Sequence, residues 1–277
     1  MLKRTITGLS MAAVMIYALL TSITTALLLL SVILIFSAVE WNRHFNFSAP
    51  KLKGPYFFIT IILLCAVLGI IVYSNPFFPI HPIYGILSHV ASAIILYVCY
   101  QIFIKNKSPL SFCNSIFGYA YLLLPIVIAA LFLVNQFELH RWWIFALIFM
   151  NWGNDTMAYL IGRPLGKTPL APKISPNKTV EGTIGGVFGC LLGAWIMNTY
   201  FVANPLPLSL LFLLAVMISI VGSLGDLFES ALKRSIDIKD SGSILPGHGG
   251  FLDRFDSFYF IIPVGVLLLY IFETYYL

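Results

Sequence analysis

Acidic and basic side chains crowd one short stretch of this 277-residue chain. From Ser230 to Asp256, SALKRSIDIKDSGSILPGHGGFLDRFD holds nine ionisable residues, counting His248, in 27 positions of a chain that is only 10% charged. At its leading edge Asp226, Glu229 and Lys233 recur at intervals of three and four, which puts them along one side of a helix. Asp253 and Asp256 repeat the three-residue interval at its end. Carboxylate oxygens suit a hard cation such as Mg2+, which takes one or two of them and lets substrate phosphates complete its shell. Asp226, Asp253 and Asp256 are therefore the candidate metal ligands. Lys233, Arg234, Lys239 and Arg254 are poor neighbours for a bare cation but good ones for phosphates, which Arg grips in a fork and Lys as a point charge. Carboxylates and bases together point to metal-bound phosphates.

Within the same stretch Pro246, Gly247, Gly249 and Gly250 impose a tight, irregular backbone that can come close to a ligand. His248 suits a phosphate donor, a proton shuttle or a loop-fixing hydrogen bonder, and its unperturbed pKa does not choose among these. Metal ligation by His248 is the weakest of its readings, since no second histidine lies nearby in sequence. The plain alternative for Asp226 and Glu229 is a helix-end ion pair with Lys233 or Arg234. A second polar segment, GRPLGKTPLAPKISPNKTVEG, brings Arg163, Lys167, Lys173 and Lys178 with Ser175 and Thr179. Pro164, Pro169, Pro172 and Pro176 keep it non-helical. It suits an anionic headgroup or a nucleotide, or, more plainly, a basic loop resting on anionic lipid. Just before it, Asn151, Asp155 and Tyr159 stand at i, i+4 and i+8 on one helical face, and polar groups within an apolar span line a cavity more often than lipid.

The elements that must position these residues are apolar helices. The chain is 60% hydrophobic with a mean hydropathy of +0.94, and runs of spanning length recur from end to end. Hydropathy predicts an all-α, polytopic membrane protein with nine spans, near 9–20, 23–40, 56–74, 83–104, 112–134, 142–162, 182–202, 208–228 and 258–275. Gly8 to Ala38 would make about 46 Å of helix, too long for one span and short for two. Charge decides for a hairpin turning near Thr21–Thr25. With nine spans and a cytoplasmic N-terminus, fifteen of the sixteen Lys and Arg residues fall on the inner side, with Arg141 alone outside. The C-terminus then lies outside, and the two polar loops, 163–181 and 229–257, share the inner face. Lys3 and Arg4 before an apolar run also fit a cleaved signal peptide, but no small-residue cleavage site follows before the next span.

One membrane domain, 1–277, is expected, with helices over 1–140 and a catalytic half over 141–277. Cys65, Cys99, Cys113 and Cys190 lie in or beside apolar runs without metal-ligand spacing and read as buried small hydrophobes. His44, His81, His89 and His140 read as interfacial or packing residues. Topology and membrane-surface electrostatics account for the net charge of +5, so no nucleic-acid partner is inferred.

These residues resemble a known family. Ser230, Leu232, Lys233 and Arg234, then Lys239 and Asp240, then the run Leu245 to Gly250 followed by Leu252, Asp253, Arg254 and Asp256, look like the phosphatidate cytidylyltransferase (CDP-diacylglycerol synthase) signature, with no departure in that window. The likeness reaches back through Gly225, Asp226, Leu227 and Glu229. It also takes in Asp155, Ala158, Tyr159, Gly162, Arg163, Gly166, Lys167, the run Leu170 to Lys173, Ser175, Pro176, Lys178, Thr179, Glu181 and Gly182. The N-terminal half matches in character only, with Glu40 and Trp41 after its second apolar run.

The resemblance implies a membrane-embedded helical enzyme, often a homodimer, that turns CTP and phosphatidate into CDP-diacylglycerol and pyrophosphate with Mg2+, and without a eukaryotic targeting segment the expected location is a bacterial inner membrane. A second cation, divalent or monovalent, stays open. It implies that Asp226, Lys233, Arg234, Lys239, Asp253, Arg254 and Asp256 form the catalytic set, with the three aspartates as metal ligands. Asp155, Lys167, Lys173, Ser175, Lys178, Glu229, His248, Gly249 and Gly250 would be the substrate-binding set. A lipid phosphate is already ionised at neutral pH and needs no general base, so charge neutralisation and in-line placement are what its attack requires. Gly182, Gly185, Gly186 and Gly189 would allow close helix packing near a lateral opening for the acyl chains. Two rivals are a CTP-dependent lipid kinase of the polyprenol type and an ion or lipid transporter coupled through Asp155 and Asp226. The signature favours cytidylyl transfer over the first, and the second lacks the inverted repeat it would require.

Overall fold

The computed structural model describes residues 2–45, 109–203, 205–244 and 249–276. The spans expected near 56–74 and 83–104, with Cys65, Cys99, His81 and His89, lie outside the described residues, as does His248. Eight helices and one small hairpin follow in order. They are α1 Leu2–Thr21, α2 Ile23–Phe45, α3 Pro109–Asn135, α4 Phe137–Leu165, β1 Pro169–Ala171, β2 Ser175–Thr179, α5 Val180–Tyr200, α6 Leu208–Arg234, the one-turn α7 Leu252–Phe255, and α8 Phe258–Tyr276. Among the described residues four segments, Ile23–His44, Val180–Tyr200, Leu208–Arg234 and Leu252–Tyr275, are long and apolar enough to cross a membrane. A mostly helical membrane protein is thus what the fold shows. The departure from an all-α chain is the antiparallel β1–β2 pair, in register at Pro169 with Thr179 and Ala171 with Ser175. It fills the loop that the prolines keep out of helix.

The chain divides into two compact units. The first comprises Met1–Val134 with Ser241–Leu252, the second Asn135–Asp240 with Asp253–Leu277. In the first, the break between α1 and α2 falls at Ser22, inside the expected turn. Ser22 Oγ accepts from the Thr25 amide and Thr25 Oγ1 from the Ser22 amide, both at 3.2 Å, a reciprocal N-terminal cap. Met15, Ala18 and Leu19 of α1 are buried, as are Ala26, Leu27 and Leu30 of α2. Trp41 of α2 packs on α3, its ring 5.5 Å from Tyr121 and its indole filling the space where Gly118 has no Cβ.

The second unit is built on glycine. A Cβ on Gly153 of α4 would overlap the Gly189 carbonyl oxygen of α5, and one on Gly162 would lie 3.1 Å from the Gly182 Cα. Backbone thus meets backbone along the α4–α5 seam, as the small residues of α5 foretell. Cys190 is buried in that seam and donates to the Met150 carbonyl at 3.3 Å. Ser219 of α6 donates to Asn154 Oδ1 at 2.6 Å, and Ser257 donates to the Gly222 carbonyl at 3.0 Å. These bonds fix α6 against α4 and against the start of α8. At the other end of α4 and α8, His140 is fully buried and pairs with Glu273 at 3.2 Å.

Candidate active site

The site forms in the second unit, where α4, the hairpin, α5, α6 and the residues before α8 all contribute side chains. Thr179 caps α5, its Oγ1 accepting from the Gly182 amide at 3.1 Å, so the helix starts at Val180, two residues after Lys178. On the other side of the hairpin, the Glu181 carboxylate accepts from the amides of Lys167 and Thr168 and from the Thr168 hydroxyl, at 3.0 to 3.2 Å. The entry and exit of the hairpin are thereby tied to the first turn of α5.

With the hairpin so held, Lys178 Nζ lies 2.5 Å from Asp226 Oδ2 of α6. The two line a cavity of about 680 Å³ with Asn154, Asp155, Tyr159, Arg163, Thr179 and Ser223. Asp155 comes from α4, and Asn151 and Asn154 turn their amide groups toward it at 3.4 and 3.5 Å. Asn151 itself does not line the cavity. The polar face expected on this helix is therefore real at Asp155 and Tyr159, with Asn154 in the place foreseen for Asn151. Arg163 donates to the Tyr159 hydroxyl at 3.0 Å.

A second ionic centre adjoins it. Lys233 reaches Glu229 one turn back at 3.2 Å and Asp253 at 2.7 Å. Glu229 is fully buried, and its Oε1 has no hydrogen-bond partner among the described residues. Gly225 brings the segment before α8 close, since a Cβ there would sit 3.0 Å from the Asp256 carbonyl oxygen and from the Ser257 Cα. The charges of Asp155, Asp226 and Asp256 act on one another, those of Asp253 and Asp256 act on Glu229, and Arg254 acts on Asp155. The helix-end ion pair expected of Glu229 exists with Lys233, whereas Asp226 takes Lys178 instead.

Asp155, Lys178, Asp226, Glu229, Lys233, Asp253, Arg254 and Asp256 are thus brought together. Lys167, Lys173, Arg234 and Lys239 are exposed, and Arg234 donates to the Ile238 carbonyl at 2.8 Å. Lys173 sits in the hairpin turn and Ser175 opens β2. Gly249 and Gly250 belong to the first unit, Gly249 with a φ of 84° that favours glycine. Sequence reasoning gave no role to Thr183 and Ser223, which line the cavity. Ser223 stands three residues before Asp226 on the same helical face, a signal that was there to read.

Among the described residues no three His, Cys, Asp or Glu side chains are grouped to hold a metal by themselves. The donor chemistry fits Mg2+ in another way. That ion is ordinarily held by one or two carboxylates with phosphates and waters, and the cluster offers carboxylates beside lysines able to receive the phosphates.

A family model described as the cytidylyltransferase family matches residues 2–272. The chain is similar to a phosphatidate cytidylyltransferase of Bacillus subtilis (strain 168), 52% identical over 132 residues, which is 47% of this chain and 48% of that one. A protein of the same name from Staphylococcus haemolyticus is 54% identical over 118 residues, 43% of this chain and 45% of its own. One from Staphylococcus saprophyticus is 40% identical over 185 residues, 66% and 68% of the two chains. The chain spans about half the length of the first two relatives.

Proposed function

This chain belongs to the cytidylyltransferase family, and we propose that it is a phosphatidate cytidylyltransferase, converting CTP and phosphatidate into CDP-diacylglycerol and pyrophosphate for phospholipid synthesis. An ionised oxygen of the lipid phosphate attacks the α-phosphorus of CTP, a new P–O bond forms, and the bond to the β-phosphate breaks to release pyrophosphate. No proton has to be removed from the nucleophile. The residues have to bring two anions together and hold them in line.

The observation that carries this reading is the cavity in which Lys178 and Asp226 meet beside Asp155 and Arg163. In this reading Lys178 and Arg163 receive phosphate oxygens. Lys233, fixed between Glu229 and Asp253, gives a second cation along α6. Asp226, Asp253 and Asp256 are the residues that would hold Mg2+, with a second cation left open. When bound, the ion offsets the charge of the triphosphate and of the departing pyrophosphate. Lys167, Lys173, Ser175, Arg234, Lys239 and Arg254 act on the same anions from the two loops, and His248, Gly249 and Gly250 complete the proposed substrate-binding set.

The topology proposed with this activity has nine spans, a cytoplasmic N-terminus and an outer C-terminus, in a bacterial inner membrane. Both loops then face the cytoplasm, where CTP is available. A homodimer is the assembly proposed. The deciding experiment supplies the purified chain in detergent with phosphatidate and CTP labelled in the cytidine or the γ-phosphate. A cytidine-labelled lipid with labelled pyrophosphate is expected. A γ-labelled lipid with free CDP would replace this reading with a lipid kinase, and no product at all would remove it.

A further inference from the structure

Glu40 lies in an apolar helix that was expected only to span the membrane, yet it is 2% exposed and ionisable. A buried carboxylate is costly unless hydrogen bonds replace its water. Here they come from one segment. Glu40 Oε1 accepts from the Phe251 amide at 2.9 Å, and Oε2 accepts from the Leu252 amide at 2.8 Å and from the Ser241 hydroxyl at 2.9 Å. All four residues belong to the first unit.

We propose that Glu40 is a positioning residue for the phosphate-handling segment, holding both ends of Ser241–Leu252 so that Asp253, Arg254 and Asp256, which follow directly in the chain, start from a fixed point. This inference rests on the function proposed above. Three further observations support it. Phe36, one turn before Glu40 on α2, stacks on Phe251 with ring centroids 4.9 Å apart and planes 22° from parallel. Gly242 and Gly250 leave room for the carboxylate, because a Cβ at either position would overlap its oxygens, and one at Gly250 would also overlap the Ser241 hydroxyl. Ser241 and Leu252 are themselves fully buried. The glycine at position 250 therefore has a reason beyond ligand approach, since it makes space for an acid from another helix.

A carboxylate suits this task better than an amide. Both of its oxygens accept, and its donors lie on both oxygens. In Glu40→Gln one oxygen becomes an NH2 group that must face an N–H or O–H donor, while volume and shape stay the same. Losing hydrogen bonds to a charged acceptor corresponds to about tenfold to a hundredfold in an equilibrium or a rate.

The test uses the full chain in detergent, as wild type, E40Q and S241A, with amide hydrogen exchange over 241–252 and turnover per folded molecule at saturating CTP and phosphatidate. For E40Q, exchange at 249–252 about tenfold or more faster is expected, with exchange in α1 unchanged, together with turnover lower by about tenfold or more. S241A keeps both backbone bonds but loses one of the three bonds to the carboxylate, so its exchange at 249–252 and its turnover should fall between those of wild type and E40Q. Wild-type exchange at 249–252 in E40Q overturns the proposal. So does a lower melting temperature with turnover per folded molecule unchanged, which is what a purely structural acid would give. Should E40Q not fold, E40D keeps the charge but draws it back by one methylene. Faster exchange confined to 249–252 is then expected, and unchanged exchange overturns the proposal. Exchange is read without substrate, so a wild-type chain that makes no CDP-diacylglycerol defeats the proposed function and leaves the exchange result to decide Glu40.

Discussion

Replacing Lys178 by Met asks most directly whether the cavity handles phosphates. Lys178 and Asp226 meet at 2.5 Å with side chains 29% and 33% exposed, so the pair is neither a surface contact nor a buried one. Exposed pairs contribute about 0–1 kcal/mol to folding. Breaking a fully buried pair costs about 3–5 kcal/mol. At one-third exposure a folding cost of about 1–2 kcal/mol is expected, between those limits. Catalysis should suffer more. A cation aimed at a reacting phosphate in a shielded site resembles a single donor to a developing oxyanion, whose removal costs about a hundredfold to a thousandfold in kcat.

The excess of the catalytic loss over the stability loss is the quantity to measure. CDP-diacylglycerol formation from labelled CTP in mixed micelles gives the first, and thermal unfolding in the same detergent gives the second. The double variant K178M/D226N sharpens the comparison, because it removes both charges and should recover most of the lost stability while turnover stays low. A K178M enzyme within threefold of wild type would refute the reasoning, as would a double variant that regains turnover along with stability. Either result would make the pair a structural clasp.

Three other outcomes are expected. Asp253→Asn should abolish turnover while the protein still inserts and elutes as wild type, because Lys233 keeps Glu229 as a partner; unchanged turnover would remove Asp253 from the proposed metal shell. Gly225→Ala should cost about 1–3 kcal/mol of stability as an overpacked contact and lower turnover, since its methyl would meet Asp256 and Ser257 backbone atoms at 3.0 Å, and a wild-type melting temperature would argue against that close approach. Chelation should abolish activity and added Mg2+ restore it, with CTP binding by the intact chain following the same pattern; tight CTP binding and full turnover in excess chelator would rule out the metal.

Much of the helical frame was legible, because hydropathy and charge act locally. The break at Ser22 follows from a hairpin whose Ser and Thr can cap a new helix. The α4–α5 seam follows from glycines that only another backbone can fill. What could not be read was the choice among partners. Asp226 was expected to pair with Lys233 or Arg234, two turns along its own helix, yet it meets Lys178, which the hairpin brings beside α6. The hairpin itself was read as an irregular loop, since strands of three and five residues holding Pro169 and Pro176 carry no alternating apolar pattern. Glu40 was hidden for a similar reason. A lone acid near the end of an apolar run reads as an interfacial charge, and only the fold shows the amides that turn it inward.

The balance of charge bears on why lysines and carboxylates sit together where anion binding is proposed. The whole chain carries +5, but the interacting cluster counts five acids, Asp155, Asp226, Glu229, Asp253 and Asp256, against three bases, Lys178, Lys233 and Arg254. With every group ionised the cluster is acidic by two charges. A triphosphate and a lipid phosphate add more negative charge, and at a membrane surface such repulsion is weakly screened compared with water. A site of this composition binds its anions well only if cations enter with them. The divalent ion proposed for Asp226, Asp253 and Asp256 would meet that need. Without substrate, the same carboxylates keep the lysines paired and in place, so that few side chains have to be reordered when phosphates arrive. On this argument the ion pairs of the substrate-free site and the proposed phosphate contacts are two uses of one set of charges.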